Sequence, residues 1–249
     1  MRTVRHNTFI KQRKRRARYI AFFGFAILTS SLWIALNPKM ILPAYAAMFL
    51  GFIMFNMGMQ QVGKWSRNPR NDQMLDHQLA KLGDRYTLIH YPSIGKHKAE
   101  HVLVYPGGML VLTSREIDGT IENTGGKWRK KGGGFRRLFG FSGPQLANPS
   151  MDTEEALAEV EHYLKEHQLE VDVEGIIVFL HPLAELEVEN PDYPVLHGEE
   201  VPAFVLSLPA DPSFTTAERD RLVTLLSEGE EVQQQTPQTR RRPVKRRAA

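Results

Sequence analysis

The 249-residue chain has no cysteine, which excludes a disulfide framework, thiolate zinc sites and cysteine nucleophiles. No internal repeat is visible. Acid is missing from both ends: residues 1–71 carry twelve Lys/Arg and no Asp or Glu, and residues 232–249 carry six and none. All twenty-eight acids lie in residues 72–231, against fourteen Lys/Arg, so the net charge of +4 hides an acidic centre between two basic ends. Two catalytic motifs are also lacking. Gly125-Gly126-Lys127 is followed by Trp128 where a phosphate-binding loop needs Ser or Thr, and Gly140-Phe141-Ser142-Gly143 lacks the spacing of a nucleophile elbow. The nine His are scattered, and His97 and His101, four apart, straddle a turn and a strand start, which argues against a metal pair.

The basic front end is uncharged over Tyr19–Pro38 and again over Met40–Gly63, runs of 20 and 24 residues. A helix needs roughly 20 apolar residues to cross a hydrocarbon core of about 30 Å. Phe22, Phe23, Phe25 and Trp33, then Phe49, Phe52, Ile53 and Phe55, are apolar all round, whereas a soluble surface helix keeps a polar face. Asn37-Pro38-Lys39 supplies the turn of a helical hairpin. Eight Lys/Arg precede the first run, and Lys64, Arg67 and Arg70 follow the second. The positive-inside rule then predicts a two-pass integral membrane protein with both termini and everything after residue 63 in the cytoplasm. Tyr19 and Trp65 stand where interfacial aromatics belong, and Ala47 with Gly51 forms a small-xxx-small pair for close helix approach. A signal sequence cut at Ala44-Tyr45-Ala46 would leave the second run at a new N-terminus still needing burial. A hairpin buried in a soluble protein is the other alternative; the bilayer reading is preferred to both.

The acidic centre reads as one α/β domain. Met74, Leu75, Leu79 and Leu82 give Asp72–Asp84 a helical period. Strands are expected over Tyr86–Tyr91, His101–Tyr105 and Met109–Thr113, the last two joined by Pro106-Gly107-Gly108, and over Asp118–Glu122. Asn123–Ser150 reads as irregular. Met151–His167 reads as a helix capped by Asp152 or Thr153, Ile176–Leu180 as a strand covered on both faces, Leu186–Val188 and Ala203–Leu208 as further strands, and Ala217–Ser227 as a closing helix. The tail is too polar to fold.

Several of these pieces, in their order, resemble the NERD (nuclease-related domain) family of the PD-(D/E)XK nuclease superfamily. Ala99-Glu100-His101-Val102-Leu103-Val104 is similar to its D-H-V-L-V strand, and Pro106-Gly107-Gly108-Met109-Leu110-Val111-Leu112 to its P-x-G hairpin. Gly119-Thr120-Ile121, Trp128, Asn148-Pro149 and Ile176-Ile177-Val178-Phe179 follow in the family's order. The resemblance implies a restriction-endonuclease-like αβββαβ domain with a mixed central sheet, which follows the N-terminal two-helix transmembrane hairpin read above, in an α/β architecture. Its boundaries are a basic cytoplasmic leader over 1–18, the hairpin over 19–63, the domain over 66–231 and a disordered basic tail over 232–249.

The resemblance also carries over a catalytic site, and there the sequence departs from the family. The family's helical Glu falls on Asp72, its strand Asp on Glu100, its E-x-K pair on Thr113 and Arg115, and the Gln of its N-P-x-x-Q on Asp152. Phosphodiester hydrolysis by this route needs carboxylates to hold a hard cation and a lysine to position or deprotonate water. Residues 113 and 115 share a strand face, but Thr113 supplies no charge and Arg115 stays protonated. Asp72 and Glu100 remain as the only metal ligands, with an Arg115–Glu100 ion pair expected across the hairpin. The implied function is therefore a membrane-anchored nuclease-related protein, degenerate at its site, that binds nucleic acid or a protein partner at the cytoplasmic face without a cofactor. The alternative is an active Mg²⁺-dependent endonuclease using Asp72, Glu100 and either Glu116 or Asp118.

Lys127, Trp128, Arg129, Lys130, Lys131, Arg136 and Arg137 form the most basic stretch of the centre. Cations with interleaved aromatics suit nucleic acid, and beside an inner leaflet they suit anionic lipid. A plain flexible loop is the third reading. The expected partners are thus the lipid bilayer, anionic lipids at this loop and the tail, and nucleic acid or a membrane protein.

Overall fold

The computed structural model describes residues 1–96, 98–131, 146–228 and 233–234. The chain begins with a short strand, β1 (Arg2–Arg5), and then runs through two long helices, α1 (Asn7–Ala35) and α2 (Ile41–Ser66), joined by a 3₁₀ turn at Pro38–Met40. Both helices are long and apolar enough to cross a membrane. A seven-residue repeat runs through their buried positions, Ile10, Ala17, Gly24 and Ser31 in α1 and Ala44, Gly51, Gly58 and Trp65 in α2, with Ala21 buried beside it. Such a repeat keeps one seam of each helix in contact. The seam is made of small residues because the backbones nearly touch. A Cβ on Gly24 would lie 2.3 Å from Phe55 N, and one on Gly58 would lie 2.3 Å from Ala21 N. Ala47 is only partly buried, since the working repeat is seven and not four.

The α/β part follows in the order α3 (Asn71–Leu79), β2 (Thr87–His90), β3 (His101–Tyr105), β4 (Gly108–Arg115), β5 (Gly119–Thr124), β6 (Lys127–Lys130), α4 (Pro149–Glu166), β7 (Val173–Phe179), β8 (Ala184–Glu189), β9 (Val195–His197), α5 (Val201–Ser207), α6 (Thr216–Ser227) and β10 (Gln233–Gln234). A mixed sheet runs β10-β1-β2-β3-β4-β7-β9, and a smaller one runs β6-β5-β8. In the large sheet β1 lies parallel to β2, and β4, β7 and β9 are mutually parallel, while β2-β3-β4 is an antiparallel meander. Leu88, Leu103, Leu110, Leu112, Ile176 and Val178 face α3 and α5, whereas Ile89, Val102, Met109 and Val111 face α4 and α6. This is the period-two alternation of strands covered on both faces.

Several expectations are corrected. Ala203–Leu208 is not a strand but lies largely in α5, with Val201 and Val205 buried one turn apart behind Pro202 in the first turn; a short apolar run does not distinguish the two periods. The cap of α4 is Asn148, whose Oδ1 accepts from Met151 N at 3.3 Å ahead of Pro149, and not Asp152 or Thr153. Part of the stretch expected to be irregular is strand: the strand expected at Asp118–Glu122 runs on to Thr124 as β5, and Lys127–Lys130 forms β6. The large sheet also reaches outside residues 66–231, because β1 pairs along β2 and β10 pairs with β1. Residues 1–18 therefore divide into a strand and the first turns of α1. The turn between β3 and β4 is tight against the end of α5: a Cβ on Gly107 would lie 2.0 Å from Pro209 O.

The hairpin and the sheet meet at one edge. Phe9, Ile10, Trp65 and Tyr91 form an aromatic cluster there, with Trp65 and Tyr91 ring centroids 5.3 Å apart. Trp65 is buried in this joint. Lys64 pairs with Glu100, and Arg67 with Glu116.

Candidate nuclease-like site

The strand register builds a polar row across the sheet. Arg5 stands beside His90, and His90 beside His101. Ser114 lies two residues beyond Leu112, the partner of His101. By alternation all four side chains point to the face that α3 covers. The first two turns of α3 set Asn71, Asp72 and Asp76 over this row, Asp72 and Asp76 being one turn apart.

Asp72 is fully buried and fully engaged. Arg70 Nε and Nη2 donate to its two carboxylate oxygens at 2.9 Å each, and Arg5 Nε stands 2.7 Å from Oδ2. Burial alone would push this carboxyl up, but the Arg70 hydrogen bonds and the two guanidinium charges hold it at about 2. Arg5 also pairs through Nη2 with Asp76 Oδ2. His90 Nε2 lies 2.9 Å from Asp76 Oδ1, and His90 Nδ1 lies 2.9 Å from His101 Nδ1. His101 Nε2 is 3.2 Å from Ser114 Oγ, which accepts from Asn71 Nδ2 at 3.1 Å. Burial, with His90 beside it, pushes His101 down to about 3, so its ring is neutral. One polarity satisfies every atom. Asn71 donates to Ser114, Ser114 to His101 Nε2, His101 Nδ1–H to His90 Nδ1, and His90 Nε2–H to Asp76. Ser114 is only 2% exposed, so the hydroxyl at the head of this Ser-His-His-Asp chain is closed to solvent.

The expected site residues divide between the two faces. Thr113 and Arg115 point toward α4. Thr113 Oγ1 and Thr153 Oγ1 lie 2.7 Å apart, and Thr153 Oγ1 is 2.8 Å from Pro149 O, so the buried hydroxyls form a chain down the helix start. Arg115 donates to Leu146 O at 3.1 Å, to Ser114 O at 2.9 Å and to Asp152. The expected Arg115–Glu100 pair is not formed. Arg115 lies beyond the stretch of β4 that pairs with β3 and follows β7 toward α4, while Glu100 is taken by Lys64. Burial would raise the Glu100 carboxyl, but the Lys64 ammonium draws it down to about 2. Among the described residues, no hydrogen bond or ion pair links Asp72, Glu100, Thr113 and Arg115 to one another.

These carboxylates do not fit a divalent cation as they stand. Both Asp72 oxygens are occupied by guanidinium groups, and Glu100 is held by an ammonium. Among the described residues no three His, Asp or Glu side chains form a metal-binding group. Residues 68–180 nevertheless match the family model for NERD, the nuclease-related domain. The chain carries a nuclease-related domain. Comparison with curated proteins and with solved structures gives no match.

Within this nuclease-related domain the basic stretch is partly engaged. Trp128 packs 5.8 Å from Phe179 and donates through Nε1 to Ser150 Oγ at 2.9 Å, so its ring belongs to a core cluster. Lys130 pairs with Asp118, and Lys131 with Glu122 and Glu187. Lys127 and Arg129 are exposed on β6. Arg136, Arg137, His97 and the tail cations lie outside the described residues. Sequence pattern alone does not group Arg5, Arg70, Asp76, His90, His101 and Ser114 as a unit. The i, i+4 spacing of Asp72 and Asp76 was the one local signal; the rest depends on register between strands distant in sequence.

Proposed function

We propose that this chain is a membrane-anchored nuclease-related protein that has lost hydrolysis and serves as a binding module at the cytoplasmic membrane face. The observation that carries the reading is Asp72, whose two oxygens are filled by Arg70 with Arg5 alongside, in a site closed to water. Thr113 in place of an acid and Arg115 in place of a lysine support it, because neither supplies a metal ligand or a proton acceptor. The Lys/Gln positions of the family pattern have become the ion pair Arg115–Asp152, which keeps α4 on the sheet without the chemistry. The order α3-β2-β3-β4, then α4-β7, supports the restriction-endonuclease-like core. Anchoring is supported by two helices that expose Phe22, Trp33, Leu42 and Phe49 along their length. The acidic domain, with Lys130 and Lys131 paired in cis, favours a protein partner over nucleic acid.

The test uses the full chain in detergent, since β1 belongs to the sheet. Titration calorimetry with Mg²⁺ and Mn²⁺ is expected to give no heat of binding, and plasmid is expected to stay intact. Metal-dependent nicking that disappears in Glu100→Ala would establish the alternative, an active endonuclease with a rearranged site.

A further inference from the structure

We infer that one face of α1 is a binding site for the headgroup of an anionic phospholipid. Lys11, Lys14, Arg15 and Arg18 are spaced by three, one and three residues, which sets them in one stripe along the helix. With Tyr19 they line an open cleft of about 490 Å³. Lys11, Arg15 and Arg18 are exposed and Lys14 is half-buried. Among the described residues none of the four meets a carboxylate, in contrast to Lys130 and Lys131 on the domain. Arg15 is already oriented. Its Nε and Nη2 lie 3.3 and 3.2 Å from Tyr19 Oη, and its guanidinium sits 5.5 Å from the Tyr19 ring centroid.

The level of the stripe selects the ligand. Ala17, Ala21 and Gly24 lie against α2 on the neighbouring side of α1, roughly a quarter turn round the helix, so Lys11, Arg15 and Arg18 face outward and Lys14 borders the seam. The stripe continues one turn further into Phe22 and Phe25, which are 66% and 54% exposed. A cationic cleft leading into an apolar, outward aromatic face complements an amphiphile with an anionic phosphate and an acyl chain. Nucleic acid would use the cations and leave the phenyl faces bare. The inference rests on the hairpin being the membrane anchor, and it moves lipid recognition from the loop at 127–137 to α1.

The test is native mass spectrometry of the detergent-solubilised full chain titrated with phosphatidylglycerol or phosphatidylcholine. The wild type is expected to retain phosphatidylglycerol in preference, with affinity falling about fivefold for each cation replaced, near 1 kcal/mol per cation. K11Q/K14Q/R15Q/R18Q is expected to lose the preference, and K127Q/R129Q to keep it. Equal retention of both lipids by the wild type, or an unchanged preference in the fourfold variant, overturns the site. Displacement of the lipid by equimolar inorganic phosphate shows an anion site without acyl recognition and also overturns it. Alkaline extraction of membranes tests the anchor separately: a chain released to the supernatant defeats the anchor, whereas a retained chain without lipid preference defeats only the headgroup site.

Discussion

The hairpin and the α/β domain pack by opposite rules. In the domain large residues are hidden, with Leu75, Ile176 and Phe179 at most 1% exposed. In the hairpin small residues fill the contact, and Trp33 and Leu42 are 78% and 81% exposed. Water drives the first arrangement by expelling apolar surface. It does not account for the second, in which close backbone contact joins the helices and their aromatic exteriors stay exposed, the pattern expected of the proposed membrane anchor. The change of rule occurs within two turns, at Phe9, Ile10, Trp65 and Tyr91. There Arg5, Lys64, Arg67 and Arg70, which flank the hairpin in sequence, meet Asp72, Asp76, Glu100 and Glu116 of the domain. Asp72 and Glu100, the two positions for which the family resemblance implies metal ligands, thus belong to the set of carboxylates that meets the cations flanking the hairpin.

The largest effect is expected among these carboxylates. Asp72→Ala leaves Arg5 and Arg70 facing each other without their shared counter-charge, and should destabilise the domain by about 3–5 kcal/mol. Denaturant unfolding of the full chain in detergent, followed by Trp fluorescence, measures it. A loss under about 1 kcal/mol would mean that water reaches the pocket and that its charges are not those of a core.

Acidification comes next. His101 is held at about 3 against an ordinary value near 6.5, so as pH falls below 6.5 the unfolded chain takes up a proton that the folded one refuses. Stability from this group is present above pH 6.5 and is lost as pH falls toward 3, at about 1.4 kcal/mol per pH unit, or roughly 2–3 kcal/mol by pH 4.5. Asp72 and Glu100, both held at about 2, add their own losses between about pH 4.5 and 2. His101→Gln should flatten the slope between pH 6.5 and 4.5 without altering the lower limb. An unchanged slope would place the titration elsewhere.

A third change acts on the hairpin alone. Gly58→Leu forces a side chain where even a Cβ lies 2.3 Å from the Ala21 backbone, so the helices must part at a cost of about 1–3 kcal/mol. The hairpin should melt earlier by circular dichroism in detergent while the domain transition holds its midpoint. If both transitions move together, the two packing rules do not describe separable units.

What the sequence made legible follows from how local each signal is. His101–Tyr105 is an apolar run closed by a Pro-Gly turn, and its limits coincide with β3. Asn148-Pro149 stands out in the sequence by family likeness alone, and its physical role as cap and first helical residue is a property of the folded backbone. β1 was unreadable because Arg2 and Arg5 look like more of the leader, yet between them Thr3 and Val4 are buried. At the site, family order points to Asp72, Glu100, Thr113 and Arg115, but the partners that decide their chemistry are not local. Arg5 reaches Asp72 from the other end of the hairpin, and Asp152 reaches Arg115 from another helix. Which residue neutralises a carboxylate is a fact of register and packing, and one sequence carries little of it.

The smallest effect is expected where charge is paired but exposed. Lys130 meets Asp118 on β6 with side chains 38% and 66% exposed, in contrast to the fully buried Asp72. Water already solvates both groups, and holding two long side chains in one geometry costs conformational entropy. Lys130→Ala should therefore shift the unfolding free energy by about 0.2–1 kcal/mol, and added salt should erase even that. The same denaturation series compares it directly with Asp72→Ala. If the two variants gave similar losses, burial would not be what separates Asp72 from the surface, and the distinction between the charges at the joint and ordinary surface pairs would fail.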